Sequence, residues 1–204
     1  MFYYYNIFIY KMSNHITDKN YWETFYNNSN LTQECSEFSK FVIDYFNNNN
    51  KIINVLDCGC GNGRDSYKLS TKYKVLGIDN NGYIPSNIEN VQFINDDFIT
   101  KEKSNFDLIY SRFTFHSITN EQQVIFLDSI KLNTYLAIET RSDITKNITE
   151  YYGKTHFRNY TNKDYLENLL IKKNFKIYYI KEDIDMAIYK NENPVCIRII
   201  CKKL

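Results

Sequence analysis

The sequence predicts an α/β fold: a doubly wound, mostly parallel sheet with helices on both faces. Three observations carry this. Seven short runs of β-branched and aromatic residues read as strands. Helical spacing of apolar residues separates most of them. Three of only six glycines, Gly59, Gly61 and Gly63, fall directly after the first run. Strands alternating with helices imply right-handed βαβ units.

Taken in order, residues 17–46 carry helical spacing. Tyr21, Trp22, Phe25 and Tyr26 form one cluster; Phe38, Phe41, Val42, Tyr45 and Phe46 repeat at three and four. Residues 52–57 make a buried strand, and 58–63 a tight glycine loop. Residues 64–72 follow as a helix and 74–79 as the second strand. Strands three, four and five lie at 91–94, 106–110 and 134–139, with a helix at 121–131 before the fifth. A helix at 161–173 leads to the last two strands, 175–180 and 196–201. No helix separates these two, so they pair as an antiparallel hairpin.

With 204 residues, the chain suits one domain. Residues 1–16 read as a flexible extension and 17–204 as the domain, with a helical cap at 17–50 and the core at 51–204. A net charge of +1 argues against a bulk nucleic-acid binder. The five cysteines show no zinc spacing and read as reduced thiols, so no metal is expected and the cytoplasm is the expected compartment. Residues 1–10 are apolar but lack a basic start and a cleavage site, so neither a signal peptide nor a membrane span is expected.

The informative stretch is Val55-Leu-Asp-Cys-Gly-Cys-Gly-Asn-Gly-Arg64, followed by Ile78-Asp79. Ligands of open α/β sheets bind at the carboxyl ends of the strands, where strand order reverses. A glycine loop there admits a ligand close to the backbone. Asp79 ends the next strand, where a carboxylate can accept both hydroxyls of a ribose. A dinucleotide site wants its third glycine one residue later, where Arg64 stands. No P-loop pattern exists.

The pattern D-x-G-x-G-x-G after an apolar strand, with an acid ending the next strand, resembles motif I of the class I S-adenosylmethionine-dependent methyltransferases. Asp96-Asp97-Phe98 and Phe106-Asp-Leu-Ile-Tyr-Ser-Arg112 stand where the next landmarks fall, and the likeness covers roughly residues 20–204. Segments 21–26, 110–116, 139–141 and 156–158 further resemble small methyltransferases of unassigned substrate. The resemblance implies a Rossmann-like seven-stranded sheet and S-adenosylmethionine as cofactor. Gly59, Cys60, Gly61 and Gly63 would cradle its methionine part, with Asp57 at the ammonium. Asp79 and Asn80 would serve the ribose. Asp97 would meet the adenine, with Phe98 beside the ring and Asp96 as an equally acidic neighbour; Ser111 would complete the set.

A sulfonium methyl is already activated, so the enzyme mainly aligns a nucleophile, and a hydroxyl acceptor also needs its proton taken. His116, just past the fourth strand, is the first candidate base; the alternative is a structural histidine. Arg112 and Glu139 join it as catalytic candidates, although Glu139 also reads as a scaffold carboxylate paired with Arg112 or Arg141. Arg141, His156 and Arg158 favour an anionic group on the acceptor. The aromatic cluster reads either as a lid on adenine or as core. The expected function is methyl transfer to a small polar, anionic or sugar-like acceptor, with O-methylation favoured. An RNA or protein methyltransferase, or a non-catalytic cofactor-binding module, are the alternatives. The oligomeric state stays open.

Overall fold

The computed structural model describes residues 20–27, 31–144, 158–189 and 191–204. The predicted extension at 1–16 and His156 lie outside them. Helices α1 (20–27) and α2 (Glu37–Tyr45) precede the sheet. Then come β1 (Asn54–Cys58), α3 (Arg64–Leu69), β2 (Lys74–Asp79), β3 (Val91–Asn95) and β4 (Leu108–Arg112). A 3-10 turn (Phe115–Ser117), α4 (Asn120–Asp128), β5 (Tyr135–Arg141), α5 (Lys163–Lys172), β6 (Phe175–Asp183) and β7 (Cys196–Lys203) follow.

All seven strands join one sheet in the order β3-β2-β1-β4-β5-β7-β6. Its first five strands are parallel, and β7 is antiparallel to both β5 and β6. The reversal of order lies at β1, which pairs β2 on one side and β4 on the other.

The pleat sorts side chains by twos. Leu56, Cys58, Ile109, Leu136, Ile138 and Ile199 pack with Phe126, Leu127, Leu166 and Leu170 from α4 and α5. Val55, Val75, Leu108, Tyr110, Ala137 and Ile200 pack on the other face with Phe38, Val42 and Leu69 from α2 and α3. Helix α2 is thus a layer of the core, whereas the sequence grouped it with a cap. Local caps explain where helices start. Ser36 accepts from the Ser39 N–H at the head of α2, and Thr119 with Gln122 forms a capping box at α4.

Among the described residues, no helix is long and apolar enough to cross a membrane.

Candidate active site

The strand reversal brings the glycine loop to the carboxyl ends of β1 and β2. The backbone N–H groups of Gly59 and Cys60 donate to the Ile78 carbonyl at 2.8 and 3.1 Å, so the loop is tied to β2. Gly61 adopts φ +56° and donates its N–H to Asp79 Oδ2 at 2.9 Å. A side chain at Gly61 would run into the Tyr26 hydroxyl of α1. At Gly63 (φ +78°), an added Cβ would lie 2.7 Å from the Phe93 ring. The sequence read these glycines as room for a ligand. Gly61 and Gly63 instead make room for protein rings, and Gly59 for the Thr114 methyl, which an added Cβ would run into; Gly59 and Cys60 still border an open space.

That space is a cavity of about 920 Å³, within the range of small-molecule sites. Its lining at the ends of β1, β2 and β3 includes Asp57, Gly59, Cys60, Asp79, Asn80, Asp97 and Phe98. Gly61, Gly63, Asp96 and Ser111 are not among the lining residues. Asp96 is turned outward to Lys101 Nζ at 3.0 Å, and this bond lowers its pKa. Ser111 lies on the opposite face of β4 from Tyr110 and Arg112, fully buried, with its hydroxyl against that of Thr114.

At the β1–β2–β3 end, Asp57, Asp79 and Asp97 form no ion pair among the described residues. Asp57 takes the Ser66 hydroxyl at 2.5 Å, yet burial pushes its pKa up to about 8, with Asp65 and Asp79 adding repulsion. Burial also raises Asp79, against the Gly61 and Asn81 N–H groups that it accepts. Asp97 accepts from the Ile99 N–H at 2.9 Å and so fixes the turn after β3.

The aromatic cluster of α1 forms a wall. Tyr21, Trp22, Phe25 and Tyr26 line the cavity and pack edge-on or stacked on one another. Tyr26 also stacks on Tyr83 at 6.2 Å. Burial, then Asp79, pushes its hydroxyl pKa up.

Across the cavity the charges are paired. Glu139 is fully buried and accepts from Arg112 Nε at 2.8 Å and Arg198 Nε at 2.6 Å. The three stand side by side on β4, β5 and β7, because the register pairs Arg112 with Glu139 and Glu139 with Arg198. Asp65 of α3 continues the network. It lies 3.9 Å from Arg112 Nε and accepts from the Ser36 N–H, the Ser36 hydroxyl and the Tyr110 hydroxyl. Burial works against the charged form of both groups. Arg112 and the Ser36 bonds nevertheless hold Asp65 low, and Glu139 and Asp65 hold Arg112 high.

The expected catalytic set is therefore corrected in two places. Glu139 does not line the cavity, and both its oxygens are taken by arginines. His116 is buried and is not among the lining residues, its Nδ1 3.4 Å from the Arg141 N–H and the Thr140 hydroxyl, its ring edge-on to Phe113. Arg112, Arg141 and Arg158 do line the cavity. Arg112 and Arg141 flank the Phe113 ring at 4.4 and 5.3 Å. The sequence reading missed Asp65, Arg198, Tyr189 and Glu192. Only the pleat offered a signal, since residues 110, 112, 139, 141 and 198 fall on one face once the register is known. Among the described residues, no group of His, Cys, Asp and Glu could hold a metal ion.

The residues present fit S-adenosylmethionine. Buried Asp57 and half-buried Asp79 line a cavity and among the described residues form no ion pair, and this cofactor carries an ammonium, a sulfonium and ribose hydroxyls. Comparison with known proteins agrees. Residues 28–180, three quarters of the chain, match the family model described as a methyltransferase domain. An S-adenosylmethionine-dependent methyltransferase structure from Anabaena variabilis superposes with a TM-score of 0.69 at 18% identity, covering 93% of this chain and 95% of that one. One from Methanosarcina mazei gives 0.62 at 18% identity, with 79% and 97% covered. The 1,6-didemethyltoxoflavin-N1-methyltransferase of Burkholderia thailandensis gives 0.61 at 15%, with 81% and 76% covered. A search of curated proteins finds no match. The fold is the Rossmann-like methyltransferase fold, and the chain belongs to the methyltransferase domain family as an enzyme of the class I S-adenosylmethionine-dependent type.

Proposed function

We propose that this enzyme methylates a small polar acceptor held between β4, β5 and the β6–β7 turn, with the cofactor lying along the ends of β1, β2 and β3. When bound, the cofactor supplies a sulfonium methyl ready for in-line displacement. Asp79 and Asn80 hold the ribose, and Asp97 and Phe98 the adenine. Gly59 and Cys60 shape the methionine end, where Asp57 faces the ammonium. Tyr21, Trp22, Phe25 and Tyr26 exclude water from above. Arg112 is fixed by Glu139 and Asp65 and serves as a rigid floor.

The observation that carries this reading is Asp57: a carboxyl in the cavity wall, its pKa pushed up to about 8 by burial. A cationic ligand relieves that burden. The preference for a hydroxyl acceptor rested on His116 as base, and its ring does not line the cavity. The reading kept is methyl transfer to a polar nitrogen or oxygen; one structural neighbour is named for a nitrogen.

Calorimetry tests the assignment. Asp79→Ala should weaken S-adenosylhomocysteine binding by about 1–3 kcal/mol through lost charge-assisted hydrogen bonds. An unchanged affinity would remove Asp79 from the ribose.

A further inference from the structure

One ion pair in the cavity wall is only half used. Arg141 ends β5, and Glu192 sits in the β6–β7 turn, where its backbone exchanges two hydrogen bonds with Tyr189. Both side chains line the cavity and each residue is 7% exposed. Their contact runs through Arg141 Nη2 and Glu192 Oε2 alone. Arg141 Nη1 and Glu192 Oε1 are buried and, among the described residues, have no hydrogen-bond partner. Arginine–carboxylate pairs commonly close as a fork, using both nitrogens and both oxygens. Here one donor and one acceptor are left over, each on the terminal group that makes the contact, at the acceptor end. Buried polar atoms are seldom left so.

We propose that Arg141 and Glu192 together read the acceptor through an uncharged edge that offers a hydrogen-bond acceptor beside a donor. The cis-amide edge of a lactam, imide or ureide has this pattern: its carbonyl accepts from Nη1, and its N–H donates to Oε1. The inference rests on the assignment of this end of the cavity to the acceptor. It also replaces the anionic acceptor that the arginines suggested. Glu192 already neutralises Arg141, and Glu139 with Asp65 neutralises Arg112. A carboxylate or phosphate placed here would bring negative charge against Oε1. An ammonium would meet the guanidinium. A neutral edge uses both leftover atoms and adds no charge.

The test uses the full chain with S-adenosylhomocysteine present and two flat probes, 2-pyridone and benzoate, titrated by ligand-observed NMR. The wild type should bind 2-pyridone roughly tenfold more tightly than benzoate, about 1.4 kcal/mol. Glu192→Gln should reverse the order, because it removes the repelling charge and frees Arg141 for an anion. A structural role alone would weaken both probes in parallel, and that result overturns the proposal. So does a wild type that ranks benzoate first, or one that binds no 2-pyridone. The wild-type ranking decides the matter even if the variant fails to fold. S-adenosylhomocysteine is titrated separately into the wild type. A chain that ignores it sinks the assignment of the cavity, whereas one that binds it but prefers benzoate sinks only the acceptor pair.

Discussion

The two ends of the cavity treat charge in opposite ways. At the β1–β2–β3 end, Asp57, Asp79 and Asp97 line the space, and among the described residues none of them forms an ion pair. At the β4–β5–β7 end, Arg112, Arg198 and Arg141 are matched by Glu139, Asp65 and Glu192. Burial without a paired cation raises the pKa of Asp57 and Asp79, and these two gain from a cationic ligand. Paired charges are already neutralised and stay put. One end keeps carboxyls that a cationic ligand can still partner; in the other the protein has neutralised its own charges and presents a stiff surface.

The largest expected effect breaks the paired end. Glu139→Ala leaves two guanidinium groups buried beside each other, and breaking a buried pair costs about 3–5 kcal/mol. Urea unfolding should show that loss. A change below about 1 kcal/mol would mean that the network is not what holds β4, β5 and β7 at this end. Next comes the unpaired end. A carboxyl whose folded pKa is raised binds more protons folded than unfolded. Asp57 should therefore cost stability as pH climbs from about 4, its ordinary value, to about 8. Asp57→Asn should be nearly equal to wild type at pH 4 and gain on it by up to about 1.4 kcal/mol per pH unit, several kcal/mol by pH 8, while binding S-adenosylhomocysteine less well. Parallel pH profiles for the two proteins would refute the raised carboxyl.

Two smaller effects sharpen the contrast. Gly61→Ala must hold φ +56° and displace the Tyr26 ring, at a cost of about 1–2 kcal/mol. Trp22 is the only tryptophan, so its fluorescence reports whether α1 shifts from the wall. Ser36→Ala removes the α2 cap and one bond to Asp65, and should cost about 1 kcal/mol in thermal unfolding.

Much of this was legible in the sequence. The β-branched runs named all seven strands, and the glycine loop with Asp79 named the end of the sheet where the cavity opens. Strand periodicity and turn chemistry are local properties, so they survive in a single sequence. What was not legible is long-range. Glu139 was matched in advance to Arg112 or Arg141, but its second partner is Arg198, which only the antiparallel insertion of β7 brings alongside. Glu192 lies in a turn that has no pattern of its own. His116 looked like a base because it follows β4 by a few residues. Its direction depends on the 3-10 turn and on the Thr140 and Arg141 backbone behind it, which no spacing rule describes. The pairing of the arginines was hidden for the same reason: a guanidinium in a sequence carries no sign of the carboxylate that will neutralise it.

The placement of β7 between β5 and β6 has a consequence for how the protein is made. While the polypeptide is still leaving the ribosome, β1 through β5 can assemble, but Glu139 then holds Arg112 with one oxygen and exposes the other. Arg198 emerges long afterwards and locks it. The β4–β5–β7 half of the cavity is thus the last part to set during synthesis, and a nascent chain stalled before β7 would carry a glycine loop and its acids opposite a half-finished network.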